Sequence, residues 1–121
     1  MPARVVLVFK EPAFSEEAAR LLNDAGYDTA PMSDPFAALD ALESARKIEL
    51  LVTCADYGPN KPNGLALVRM ARLKRHSIRA IFVGTEDTAD HADGVASFLR
   101  SPATVDEVVE AVMAMMKSSG T

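Results

Sequence analysis

Five short apolar runs punctuate the chain, and between them apolar residues recur at three- and four-residue steps. The run that organises the rest is Leu50-Leu51-Val52-Thr53-Cys54-Ala55-Asp56, closed by the loop Tyr57-Gly58-Pro59-Asn60-Lys61-Pro62-Asn63-Gly64. A continuous apolar run of this length, ended by Gly and Pro, predicts a fully buried strand. Such strands belong in the middle of parallel sheets. Arg4 to Phe9 and Ala80 to Val83 predict two more, and Ser97 to Leu99 a short last strand. Thr29 to Met32 predicts a strand that Pro31 confines to a sheet edge, where a missing N–H is tolerated.

The intervening stretches carry helix signals. Pro12 suits a first helical turn, Phe14, Ala18, Leu21 and Leu22 share one face, and Gly26 follows as a terminator. Asp34-Pro35 reads as an N-cap with proline at the first helical position, ahead of an apolar stripe of Phe36, Leu39 and Leu42. Asn63 caps a third helix with Leu65, Val68 and Leu73 on its apolar face. Thr85 to Asp93 is polar and gives little helical pattern, with Gly94 as its end. Thr104 and Glu107 form a capping box for a last helix carrying Val105, Val108, Val109, Val112 and Met116, and Ser118 to Thr121 reads as a frayed tail.

This is strand and helix alternating five times, which predicts an α/β fold: a parallel sheet with helices on both faces. The flavodoxin-like (βα)5 arrangement, a doubly wound five-stranded sheet of order 2-1-3-4-5, puts the Pro31 strand at an edge. It sets the ends of strands one and three side by side, so that Phe9, Lys10 and Glu11 face Thr53, Cys54 and Asp56. Residues 1–121 then form a single stand-alone domain, without internal repeat or linker.

Composition narrows the function classes. A net charge of −4 argues against a general nucleic-acid binder. One cysteine excludes an internal disulfide and a multi-cysteine zinc site, and suits a reducing cytoplasm. No apolar run approaches the roughly 20 residues of a membrane span, and Lys10-Glu11-Pro12 interrupts any signal-peptide reading of the N-terminus.

With these elements in order, the sequence resembles the CheY-like receiver domain of two-component response regulators along nearly its whole length. The carriers are Arg4 to Pro12, Ala25-Gly26-Tyr27, Ala37-Ala38-Leu39, Leu50 to Thr53, Asn63-Gly64-Leu65, Arg79 to Val83, and Phe98-Leu99 before Pro102. The resemblance implies an acidic pair holding Mg²⁺ after the first strand, where this chain has Phe9-Lys10, leaving only Glu11-Pro12. It implies a phospho-accepting aspartate after the third strand. Alignment on Leu50 to Thr53 puts Cys54 there, whereas the spacing to Gly64 puts Asp56 there. A Ser or Thr is implied at Gly84, a Lys before proline at Ser101, and a switch aromatic at Phe98. The scaffold matches and the chemical parts are missing, as in a degenerate pseudo-receiver.

These losses matter physically. Phosphoryl transfer to a carboxylate is mostly positioning and charge neutralisation. Mg²⁺ needs oxygen ligands. Phe9 offers none and the Lys10 ammonium repels a cation, so no cofactor, Mg²⁺ included, is expected. A thiol forms no acyl phosphate, and Ser101 has no charge to pair with a phosphoryl group. Lys10 is expected instead to fill the metal's space, its ammonium toward Glu11 or Asp56.

Other readings of single residues stay modest. Cys54 as a nucleophile would need a neighbouring base or cation, and the plainer reading is a small buried apolar residue. Asp56 reads more simply as a turn carboxylate. His76, after Arg69, Arg72, Lys74 and Arg75, ends a solvated basic face. His91 lies in a polar stretch, and two isolated histidines make no metal motif.

The favoured function is therefore a non-enzymatic, receiver-like signalling module of a two-component phosphorelay, not phosphorylatable, cytoplasmic, and acting by protein–protein interaction. Its partner would be a histidine kinase, a response regulator or another signalling protein, with a homodimer possible and neither nucleic acid nor membrane involved. The candidate interface is Phe98, Arg100, Met113 and Met115, because the two methionines fall outside the last helix's apolar face. Two alternatives remain open: a phosphorylatable receiver using Asp56, and a flavodoxin-like binder of a small ligand.

Overall fold

The computed structural model describes residues 4–44, 48–85 and 96–119. The expectations for residues 86–94, His91 included, lie outside the described residues. In chain order the elements are β1 (Val5–Val8), α1 (Pro12–Asp24), β2 (Thr29–Met32), α2 (Pro35–Ser44), β3 (Leu50–Cys54), α3 (Gly64–Lys74), β4 (Arg79–Gly84), β5 (Ser97–Arg100) and α4 (Val105–Ser119). The strands form one parallel sheet of order β2-β1-β3-β4-β5, as the alternating pattern predicted. Pro31 lies on the edge strand β2.

Side chains alternate across a strand, and this divides the core in two. Val5, Leu7 and Phe9 point to one face with Leu50, Val52, Ile81 and Val83, and α1 and α4 cover them with Ala18, Leu22, Val108 and Val112. Val6, Val8, Leu51 and Ala80 point to the other face, covered by Ala38 and Leu42 of α2 and by Leu67, Val68 and Ala71 of α3. Covering both faces is what lets β1 and β3 be apolar at nearly every position.

The helix starts follow local chemistry. Asn63 Oδ1 accepts from the Ala66 N–H at 2.8 Å and so caps α3. Asp34 accepts from the Phe36 N–H at 3.1 Å. Thr104 and Glu107 form the reciprocal capping box, at 3.1 and 2.9 Å. Gly26 follows α1 with φ +96°, a conformation glycine adopts without strain.

Three expectations need correction. Phe36 is 51% exposed and Leu73 79% exposed, so neither belongs to an apolar stripe. The buried face of α2 is set by Ala38 and Leu42, and that of α3 by Leu67, Val68 and Ala71. In both helices small Ala residues take contact positions, letting backbone and sheet approach. The last helix also continues to Ser119, past Ser118 where the frayed tail was expected to begin.

Candidate functional site

The carboxyl ends of β1, β3 and β4 converge on one side of the sheet. The register pairs Val8 with Thr53 and Cys54 with Val83, so the residues that follow these strands share one end of the molecule. A pocket of about 370 Å³ opens there. Phe9, Phe14, Cys54, Val83, Pro102 and Ala103 give it an apolar lining, and Lys10, Glu11, Asp56, Gly84 and Ser101 also border it. The structure thus brings together every residue that the resemblance placed at the phosphorylation site, except Phe98.

Phe9 is 6% exposed and belongs to the core cluster on the α1/α4 side. Its ring meets that of Phe14 with centroids 4.8 Å apart and planes tilted by 51°. Alternation explains the placement: Phe9 continues the Val5-Leu7 face one step past the strand. Lys10 does not behave as expected. It is exposed, and among the described residues it forms no ion pair with Glu11 or Asp56. An exposed lysine keeps its hydration, so no desolvation penalty demands a partner. Asp56 is turned to its own loop, where Oδ1 accepts from the Gly58 N–H at 2.9 Å.

Cys54 ends β3 half-buried. Burial pushes its thiol up, against the smaller opposing effect of hydrogen bonds that include the Lys10 backbone. Its sulfur lies 3.4 Å from the Asp56 carbonyl, to which it donates. This is the environment of an inert thiol, not of an activated nucleophile.

Sequence reasoning missed the pair that organises this end of the sheet. Thr53 is fully buried, and its hydroxyl is hydrogen-bonded to the Tyr57 hydroxyl. Tyr57 in turn donates to the Val8 carbonyl at 3.1 Å, tying the β3–α3 loop to β1. Burial pushes the Tyr57 hydroxyl above its ordinary value. The available signal was a tyrosine four residues after a threonine that nearly ends a buried strand, because a buried tyrosine needs a partner for its hydroxyl. Gly64 is required for a different reason. A Cβ there would stand 1.8 Å from the Cys54 carbonyl oxygen, so only glycine lets α3 start this close to β3.

Gly84 is buried at the end of β4, and its carbonyl accepts from the Ser101 N–H at 2.7 Å. The two positions where the resemblance implied a hydroxyl and a lysine are therefore neighbours. The donor set fits Mg²⁺ poorly. Phe9 fills core rather than offering oxygen, Lys10 places a cation on the rim, and Cys54 offers sulfur, a softer donor than the oxygens Mg²⁺ takes. Among the described residues no group of three or more His, Cys, Asp or Glu could hold a metal ion.

The expected interface residues are not among those lining the pocket. Phe98 on β5 is half-buried, its ring 6.4 Å from that of Phe82, and Arg100 is exposed. Met113 and Met115 are half-buried and pack against the α1/α4 side of the core. His76 is exposed beyond α3, and the basic face is partly occupied: Lys74 pairs with Glu43, and Arg75 donates to the Leu42 carbonyl at 2.9 Å.

Comparison with known proteins points in one direction. No family model matches the chain, and no curated protein matches it significantly. Solved structures do. The receiver domain of the hybrid histidine kinase CckA is 26% identical, with a TM-score of 0.74 over 94% of this chain and 99% of that one. A response regulator receiver protein from Sinorhizobium medicae is 23% identical, with a TM-score of 0.75 over 95% of each chain. A CheY-like receiver domain from Methanospirillum hungatei is only 15% identical yet reaches 0.81 over 98% of this chain and 96% of that one. The chain has the CheY-like receiver fold, and its structural neighbours are response regulator receiver domains.

Proposed function

We propose that this chain is a receiver-like module of two-component signalling that is not phosphorylated and works by binding another protein. The observation carrying this reading is Phe9. A residue that the resemblance would make a metal-holding acid is instead 6% exposed core, packed against Phe14. Three neighbouring features support it: a thiol at Cys54, Gly84 in place of a hydroxyl, and Ser101 in place of a lysine. Loss of one charge-stabilising group costs a few kcal/mol of transition-state stabilisation, and the losses here act on one step. The reading needs no cofactor and no catalytic residue. It places the module in the cytoplasm as one domain, with a histidine kinase, a response regulator or another signalling protein as partner.

Incubation with acetyl phosphate and Mg²⁺, followed by intact-mass measurement, tests the proposal. The mass is expected to stay unchanged. A stoichiometric gain of one phosphoryl group that disappears in Asp56→Asn would establish a working receiver instead.

A further inference from the structure

The pocket at the strand ends has a lining that phosphoryl chemistry does not call for, because residues at the edge of the core form its walls. A phosphoryl site is polar and charged, whereas this pocket has an apolar interior of Phe9, Phe14, Val83, Pro102 and Ala103. Its volume of about 370 Å³ lies within the range of small-molecule sites, roughly 300–1,000 Å³. Such sites combine apolar walls with a few polar groups that orient the ligand.

The charges bordering the pocket are not equivalent. Asp56 already accepts a backbone N–H from Gly58. Glu11 is the N-cap residue of α1, where the positive end of the helix dipole complements a carboxylate. Lys10 has no such compensation, being exposed and, among the described residues, without an ion pair. We infer that the pocket binds a small apolar monocarboxylate, a single ring or short branched chain inserted between Phe9, Phe14 and Pro102 with its carboxylate at the Lys10 ammonium. This goes beyond the partner-binding reading and does not depend on it, since ligand binding is measured with neither partner nor phosphodonor present.

Titration of the whole ¹⁵N-labelled chain with phenylacetate, followed by NMR, tests the assignment. Saturable shifts are expected at residues bordering the pocket, including Lys10, Cys54 and Ala103. Phenethylamine and inorganic phosphate serve as the cationic and the non-apolar comparison, and both are expected to bind more weakly. Lys10→Gln alters only an exposed side chain and is expected to weaken phenylacetate by roughly two- to fivefold, the worth of one exposed ion pair. Ala103→Phe, which fills the pocket from its loop side, is expected to abolish saturation while the remaining spectrum stays folded. No saturation by phenylacetate at millimolar concentrations would overturn the inference. So would equal binding of phenethylamine, tighter binding of phosphate, or unchanged affinity in Lys10→Gln.

Discussion

Replacing Phe9 by alanine tests whether the former acid position has become core. Phe9 is 6% exposed, packs at a tilt on Phe14 with ring centroids 4.8 Å apart, and shares a cluster with Val5, Leu7 and Leu50. Phe→Ala at a buried site costs about 3–5 kcal/mol, through lost transfer free energy and the cavity left behind. Phe9 borders an open pocket, so water and Phe14 can partly refill the gap, which places the expected loss near about 3 kcal/mol. Against a domain stability of about 5–15 kcal/mol this is a large fraction. With a urea slope of about 1–3 kcal/mol/M, the unfolding midpoint should fall by about 1–3 M. Urea titration followed by circular dichroism at constant protein concentration measures it. A loss below about 1 kcal/mol would mean that the ring contributes no more than a surface side chain, and that this position remains available to an acid.

The remaining expectations concern the neighbouring groups. Tyr57→Phe removes the hydroxyl that joins Thr53 to the Val8 carbonyl, while Thr53 keeps its bond to the Cys54 carbonyl at 2.9 Å, and should lower stability by about 1–3 kcal/mol in the same assay. Burial raises the Tyr57 hydroxyl, so the folded state keeps a proton that the unfolded chain releases near pH ~10. Its contribution is thus present below that pH and lost as pH rises past it, and Tyr57→Phe should flatten this alkaline decline. An identical pH profile in both proteins would disprove the assignment. Burial also raises the Cys54 thiol, so iodoacetamide at neutral pH should alkylate the folded chain more slowly than the urea-unfolded chain, whereas equal rates would show an activated thiol. Met113→Glu should abolish self-association or partner binding in sedimentation and pull-down, with Lys61→Glu in the β3–α3 loop as the neutral control. Because Met113 packs against the core, a thermal melt must show the variant folded, and wild-type behaviour of a folded Met113→Glu would locate the working surface elsewhere.

The sequence by itself determined the architecture. Apolar runs such as Arg4 to Phe9 and Leu50 to Cys54, alternating with capped helices, admit few arrangements besides a doubly wound parallel sheet, and Pro31 singles out the edge strand. It also named most of the candidate site, because strand ends gather at one side of such a sheet. Tertiary structure decided what those residues do there. Phe36 and Leu73 match a helical period yet point to solvent, since contact with the sheet is made by Ala38, Leu67 and Ala71 beside the expected Leu42 and Val68. Lys10 stays solvated at the pocket rim instead of turning to Glu11 or Asp56, which a linear spacing does not encode. The Thr53–Tyr57–Val8 connection spans 49 residues between Val8 and Tyr57, and the apolar pocket arises only when residues from separate loops meet. Period and punctuation specify elements because they act locally. Burial, hydration and hydrogen-bond partnership depend on neighbours distant in sequence, so they are settled only when the chain is folded.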